Sequence, residues 1–494
     1  MTAKTLMVQG TASSVGKSLL TTALCRYFRQ QGLRVAPFKA INMALNSFVT
    51  PDGLEIGRSQ AVQAEACGIE PCAEMNPLLL KCEPGRIQAV LMGKVVGSLT
   101  AEEYDKAFDG FRPAIAGSLE SLRSAYDLVI LEGMGSPVEV NLKRKDAANM
   151  EMARLAQAPV ILVGDIDRGG VFASLLGTLE LFEPSDRVRV KGFVINKFRG
   201  EKKTLEPGFD FLKQKTGVPV LGVLPYLTQV DLAEEDSVAL EESLPAGNGL
   251  LTIAVLKFPH ISNFDEFQPL ARTPGVHLRY VQDPREAQGA DLVVLPGTKM
   301  TVADLKWLRV RGFETLLRER AKDQKPILGI CGGYQMLGEA IEDPHQVESR
   351  ESSVPGLDLL SVRTFFEKEK VTAQVEAVAV GSPLLTGGQK VKAYEIHMGR
   401  VMSNGANPLF QVASRNRRTV KEEEGAVQGA VMGTLLHGLF ENDSIRRSLL
   451  NALAKQKGLE ISVPNEDKEA SYNRLAEMVR ISLDCSFLKQ IIGF

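Results

Sequence analysis

Leu6-Met-Val-Gln-Gly10-Thr-Ala-Ser-Ser-Val-Gly16-Lys17-Ser18-Leu-Leu20 joins a short apolar run to a glycine-bounded turn and then to a helical periodicity that lasts to Gln31. A strand emptying into such a loop before a helix brings backbone N–H groups, a lysine ammonium and a hydroxyl to one place. That is the chemistry that holds a polyphosphate. Lys17 is expected on the β- and γ-phosphates of ATP and the Ser18 hydroxyl on Mg²⁺, with Thr11, Ser14, Val15 and Gly16 lining the loop around the nucleotide. Five residues separate Gly10 from Gly16, one more than in the common Gly-x4-Gly-Lys-Ser form, so Thr11 takes the expected first-glycine place.

Further apolar runs at Leu33-Val35, Leu128-Leu131, Val160-Val163 and Gly192-Ile195 alternate with helical segments, which predicts a parallel sheet covered by helices. Glu132 follows one run directly and is placed to hold Mg²⁺ at the carboxyl end of a strand. Lys39 adds positive charge at the same edge. Asn196 and Lys197 follow another run and could meet the nucleotide base, although a capping role is as simple. After Pro225 the pattern gives way to acidic and then small polar residues. A second α/β series starts at Leu251 and runs through Asp291-Leu295 and Pro326-Ile330 to His437. The expected organisation is a phosphate-loop nucleotide-binding domain over residues 1–235, a linker over 236–250, a second α/β domain over 251–450 and a helical tail over 451–494 packed on that second domain.

Composition narrows the function classes. The chain has 494 residues with 44% hydrophobic and 24% charged, an ordinary globular balance, and a formal charge of -2 gives no global basic field for nucleic acid or anionic lipid. The apolar runs are strand-length, too short to span a bilayer. Six cysteines without CxxC spacing suit a reducing compartment, and the N-terminus reads as a first strand rather than a signal peptide. A cytoplasmic location and no nucleic-acid or membrane partner are therefore expected. Nothing in the sequence fixes an oligomeric state.

The second series carries a different chemistry. Pro326-Ile-Leu-Gly-Ile-Cys331-Gly-Gly-Tyr-Gln-Met-Leu-Gly338 reads as a buried strand, a sharp turn with Cys331 at its apex and a helix. Flanking glycines let the backbone turn tightly and a substrate approach, as a nucleophile requires. The N–H of Gly332 and a donor from the loop at Gly297 are candidates for an oxyanion hole. A thiol nucleophile needs a base, and only five histidines are available. His437, between small residues at the end of an apolar run, is the choice. His397 in Tyr394-Glu-Ile-His-Met-Gly399 is the rival, and His260, His277 and His345 lack comparable surroundings.

Together these stretches resemble the cobyric acid synthase family, glutamine-hydrolysing amidases of corrinoid biosynthesis. The resemblance rests on Gly10 to Ser18, Phe38-Lys-Ala-Ile-Asn-Met-Ala-Leu-Asn-Ser47, Glu55-Ile-Gly-Arg58, Met75-Asn-Pro-Leu78, Glu132 to Leu142, Val163-Gly-Asp-Ile-Asp-Arg-Gly-Gly170, Asn196-Lys-Phe-Arg-Gly200, Pro296-Gly-Thr-Lys299, Cys331 and His437. It implies a first domain similar to dethiobiotin synthetase, whose loop spacing the Gly10–Ser18 segment shares, and a second similar to class I glutamine amidotransferases. It also implies ATP- and glutamine-dependent amidation of the b, d, e and g side-chain carboxylates of adenosylcobyrinic acid a,c-diamide, with Mg²⁺ accompanying ATP and no tightly bound organic cofactor. Corrinoid, glutamine and ATP are the implied small-molecule partners. Class I amidotransferases usually carry Glu two residues after the histidine. Leu439 stands there, so the third member of the triad is missing or comes from elsewhere, with Glu441 a weak candidate. The alternatives are a cobyrinic acid a,c-diamide synthase and, in a different class, a nucleotide switch with a degenerate amidotransferase-like binding module.

Overall fold

The computed structural model describes residues 2–140, 147–227, 249–465 and 467–494. The chain forms two compact units. The first comprises Met1–Ala44, Glu55–Asp236 and Asp467–Phe494, the second Leu45–Leu54 and Ser237–Glu466. Most of the expected linker, residues 236–248, lies outside the described residues, as does the end of the Glu132–Leu142 motif.

The first unit is built on a six-stranded sheet in the spatial order Val220–Pro225, Val190–Phe198, Val160–Asp165, Lys4–Gly10, Leu128–Glu132 and Val35–Phe38. Every neighbouring pair in it is parallel. Leu6, Met7 and Val8 have no exposed surface, because helices cover both faces of a parallel sheet and both sides of each strand must be apolar. The chain crosses from one side of the central strand to the other between Leu128–Glu132 and Val160–Asp165, and the phosphate-type loop opens at this switch, where crevices form in such sheets. A smaller four-stranded sheet, antiparallel over Leu78–Leu99, accompanies it.

The second unit repeats the plan with Val276–Val281, Leu251–Leu256, Leu292–Leu295, Ile327–Ile330, Val431–Thr434 and Ala426–Gln428 in that order, parallel except for the last pair. A mainly parallel α/β architecture in both units matches the expectation. The second unit adds an antiparallel sheet built on the long strands Val362–Ala379 and Lys390–Ser403.

The expected placement of the tail is corrected. Residues up to Gln456 finish the helix Asp443–Gln456 of the second unit, but the helices Lys468–Ser482 and Cys485–Ile492 belong to the first. Tyr472, Leu475, Ala476, Met478 and Val479 are buried with Leu20, Leu24 and Phe28 of the helix Lys17–Gln30. Arg26 fixes the register, giving hydrogen bonds to Glu469 Oε2 at 2.5 Å and Asn473 Oδ1 at 2.8 Å. At Gly222 an added Cβ would stand 2.0 Å from the Ser482 carbonyl, so only glycine admits the tail so close to the sheet. Ile481 lies off this packed face and is 68% exposed.

Candidate functional site

Around Lys17 the first unit gathers an anion-ready loop. Ser14 and Gly16 have φ of 56° and 99°, and a Cβ at Gly16 would fall 1.9 Å from Asn196 Nδ2, so this position demands glycine twice over. Asn196 Nδ2 donates to the Val15 carbonyl at 2.8 Å. Val15 packs its side chain into the core, leaving only its backbone to the loop. Lys17 Nζ lies across the loop and donates to Ala12 O at 2.8 Å and Gly135 O at 3.0 Å. Thr11 N–H donates to Val163 O at 2.9 Å, which anchors the first turn. Lys197 turns its ammonium to Asp165, 3.0 Å away.

Glu132 is the focus of this cluster. Its Oε1 accepts from Ser18 Oγ at 2.8 Å and Lys39 Nζ at 2.9 Å, and its Oε2 from Gln63 Nε2 at 2.6 Å. Burial would raise its pKa, yet the Lys39 charge and the hydrogen bonds of Lys39, Ser18 and Gln63 hold the carboxyl below its ordinary range. Among the described residues no group of three or more His, Cys, Asp or Glu could cage a metal. Mg²⁺ bound beside a nucleotide needs no such cage, since one carboxylate, a hydroxyl, phosphate oxygens and waters suffice. Gln63 Oε1 is buried without a hydrogen-bond partner next to Glu132, an acceptor suited to a donor such as metal-bound water. The residues present therefore fit the ion.

In the second unit the groups of interest project from the carboxyl ends of neighbouring strands. Cys331 follows Ile327–Ile330 with φ 51° and ψ -111°, a backbone conformation costing on the order of 1–3 kcal/mol that the fold holds in place. Its N–H donates to Thr434 O at 2.8 Å, and its Sγ lies 3.8 Å from the Ile396 carbonyl. Gly332 and Gly333 open the following helix. A Cβ on Gly332 would meet Thr298 Cγ2 at 2.6 Å and one on Gly333 would meet the Leu295 carbonyl at 2.0 Å, so the elbow closes on the Gly297–Thr298 loop only without side chains. Gly297 lies against His437, whose Cε1 would stand 2.9 Å from an added Cβ. The structure thus brings Cys331, Gly332, Gly297 and His437 together.

The Cys331 thiol neighbours the His437 imidazole and favours its charged form. Its Nδ1 stands 3.1 Å from Glu266 Oε1, while Glu266 Oε2 accepts from Gly438 N–H at 3.3 Å. Tyr394 stacks on the imidazole with centroids 5.4 Å apart. Burial alone would lower the His437 pKa, but the Glu266 carboxylate and the neighbouring Cys331 raise it to about 10. His397, the rival base, instead shares Nδ1 with Gly399 O at 3.0 Å, and burial lowers it to about 4. It keeps a neutral ring and does not take the place beside the thiol.

Glu266 is the residue that sequence reasoning missed. It comes from the turn Phe264–Phe267 after the first strand of the unit, while Leu439 is a buried core residue and it is Glu266, not Glu441, that reaches His437. The one available signal was an acidic turn, Asn263-Phe-Asp-Glu-Phe267, at the carboxyl end of a strand. His260, set aside on sequence, also differs. It is 2.8 Å from Asp304 Oδ1, and Asp304 Oδ2 accepts from Thr298 Oγ1 at 2.5 Å, so this pair braces the loop carrying Gly297.

Residues 6–239 match the CobQ/CobB/MinD/ParA nucleotide binding domain and residues 252–445 the CobB/CobQ-like glutamine amidotransferase domain. A cobyric acid synthase of Sorangium cellulosum is 53% identical over 100% of this chain and 99% of its own length. One of Dehalococcoides mccartyi is 47% identical over 99% of each. Among solved structures, PurLQS from Thermotoga maritima covers 41% of this chain and 99% of its own at 16% identity and TM-score 0.32. With a nucleotide-binding half, an amidotransferase half and end-to-end identity to curated relatives, the chain belongs to the cobyric acid synthase family, a family of glutamine-dependent ligases.

Proposed function

We propose that this protein amidates the b, d, e and g side-chain carboxylates of adenosylcobyrinic acid a,c-diamide, using ATP to activate each carboxylate and glutamine as nitrogen source. The observation that carries the glutamine half is Cys331 on its strained elbow with His437 beside it, the imidazole in turn meeting Glu266 through Nδ1. The end-to-end identity to proteins named cobyric acid synthase supports the choice of acceptor.

A carboxylate resists amide formation because its carbon is a poor electrophile and its oxygen a poor leaving group. In the first unit a substrate carboxylate oxygen attacks the γ-phosphorus of ATP, ADP leaves and an acyl phosphate forms. Lys17, and Lys39 released from Glu132, offset charge on the transferring group. Ser18 and Glu132 would hold Mg²⁺, which supplies charge neutralisation at the phosphates when bound. Ammonia then attacks the acyl carbon and phosphate departs.

The second unit supplies the ammonia. The Cys331 thiolate attacks the carboxamide carbon of glutamine, with the N–H groups of Gly297 and Gly332 as donors to the developing oxyanion. His437 carries the proton to the leaving nitrogen. It then takes one from water, whose oxygen attacks the thioester and frees glutamate and Cys331. Glu266 orients the ring through Nδ1 and stabilises its charged form.

The test is mass spectrometry of adenosylcobyrinic acid a,c-diamide incubated with the protein, glutamine and Mg-ATP. Four successive carboxylate-to-amide conversions are expected. An unchanged substrate, with two amides appearing on cobyrinic acid instead, would overturn the choice of acceptor.

A further inference from the structure

Residues Leu45–Leu54 fall within the stretch that matches the nucleotide-binding family, yet in space they are part of the second unit. Their seating there is specific. Ser47, Val49 and Thr50 have no exposed surface, and Val49 packs with Tyr394 and Ile396. Gly53 O accepts from Thr372 Oγ1 at 2.6 Å, and Gln374 Nε2 donates to the Val49 carbonyl. Two further contacts lead to the glutaminase centre. Ser47 N–H donates to Asn263 Oδ1 at 2.9 Å, and the Phe48 ring lies 5.6 Å from that of Tyr394.

One contact ends on the ring that stacks on His437, the other on the turn that carries its carboxylate partner. Asn263 sits at φ 53° and opens the turn Phe264–Phe267 that presents Glu266 to the imidazole. Tyr394 stacks on that imidazole with planes 20° apart. From these contacts we infer that the segment is a positioning element of the glutaminase centre. Ser47 holds the Glu266 turn through Asn263, and Phe48 backs the Tyr394 ring that fixes the plane of His437. A stretch encoded in the nucleotide-binding half is thereby needed to complete the Cys331 site.

The physical reason is the tolerance of the proton relay. His437 must face Cys331 with one nitrogen and Glu266 with the other, and a misplacement of about 1 Å in such an arrangement can cost on the order of a hundredfold in rate. Tyr394 bears on only one face of the imidazole, so a Tyr394 ring without Phe48 behind it is free to yield. Asn263 has a left-handed backbone, which asparagine tolerates better than most residues, and its Oδ1 accepts from the Ser47 N–H, tying the turn to the segment.

This inference rests on the reading of Cys331 as the glutamine nucleophile, and the experiment separates the two. Glutaminase activity, glutamine-dependent amidation and ammonium-supported amidation are measured for full-length Phe48→Ala, Asn263→Gly and Cys331→Ala, with Phe48→Tyr as the conservative control. Asn263→Gly retains the positive φ while deleting the acceptor. Expected is a fall of about tenfold in glutaminase kcat for Phe48→Ala and Asn263→Gly. The glutamine KM should change much less, and the apparent pKa assigned to His437 should move down. Ammonium-supported amidation should be unaffected, and Phe48→Tyr should restore the rate. Unchanged glutaminase in both variants, or parallel loss of both nitrogen routes, would overturn the positioning role. A Cys331→Ala protein that still hydrolyses glutamine would instead overturn the reading of the site.

Discussion

Replacing Glu266 by Gln tests the centre with little change of shape. The amide can still accept from Gly438 N–H, at present 3.3 Å from Glu266 Oε2, but it cannot supply the charge that faces His437 Nδ1 across 3.1 Å. At an effective dielectric constant of about 20, a unit charge pair at that separation is worth about 5 kcal/mol, an upper limit because the neighbourhood relaxes. A loss of roughly 3–4 kcal/mol of transition-state stabilisation corresponds to about a hundred- to a thousandfold in kcat. The raised pKa of His437 should fall as well, since the Glu266 carboxylate is the first influence that raises it against burial. Steady-state glutamate release across the pH range reads both effects, with ammonium-supported amidation as the internal standard for folding. If Glu266→Gln keeps kcat within about threefold of the parent and leaves the pH profile unmoved, the carboxylate does not serve His437 and the triad reading fails.

Four other substitutions probe the remaining parts. Cys331→Ala should abolish glutamine-dependent amidation and retain the ammonium-supported reaction, whereas Lys17→Ala should remove both; ammonium-driven activity at full rate in Lys17→Ala would contradict the phosphate-loop assignment. Glu424 is buried, accepting from Thr434 Oγ1 and Leu435 N–H at 2.6 Å each, and burial pushes its carboxyl up to about 7. The folded state therefore keeps a proton that the unfolded chain releases near 4.5, and stability present below that pH is lost as pH rises through about 7, by roughly 3 kcal/mol. Glu424→Gln, which can accept from Leu435 and donate to Thr434, should flatten denaturant-midpoint curves between those pH values, and an unchanged slope would refute the shift. Leu475→Ala, in the tail helix and 5% exposed, should cost about 2–5 kcal/mol and lower the calorimetric transition that Mg-ATP raises; a shift confined to the other transition would place the tail elsewhere.

What could be read from the sequence was what local chemistry encodes. The Gly10–Ser18 loop and the Cys331 elbow announce themselves because glycine spacing, strand before and helix after sit within one short stretch. Glu266 could not be found this way. It stands 171 positions from His437, and only the stacking of parallel strands brings their carboxyl ends together. The tail was assigned to the wrong unit for a related reason. Its apolar face at Leu475, Met478 and Val479 shows that it packs, but burial of apolar surface is non-directional, and the partner is chosen by shape at Gly222 and by the Arg26 hydrogen bonds. The antiparallel sheet of the second unit was not anticipated, although part of its pattern is local. Val371, Ala373, Val375 and Ala377 alternate with Thr372, Gln374 and Glu376, the period-two signature of a strand, before Val378 breaks the alternation.

The two buried histidines of the second unit show how the fold allocates a proton. His437 and His397 lie on paired neighbouring strands, both nearly without exposed surface, so burial lowers the proton affinity of each. Only His437 has a carboxylate on one nitrogen and the thiol on the other, and only its pKa ends up raised. His397 has the Gly399 carbonyl on Nδ1, which cannot offset the loss of solvent, and it stays neutral. Separating two like groups in this way favours the proton on the imidazole beside Cys331, the place the proposed transfer to the departing nitrogen requires. Glu266 makes the difference between the two rings, which is why its removal should make His437 behave more like His397.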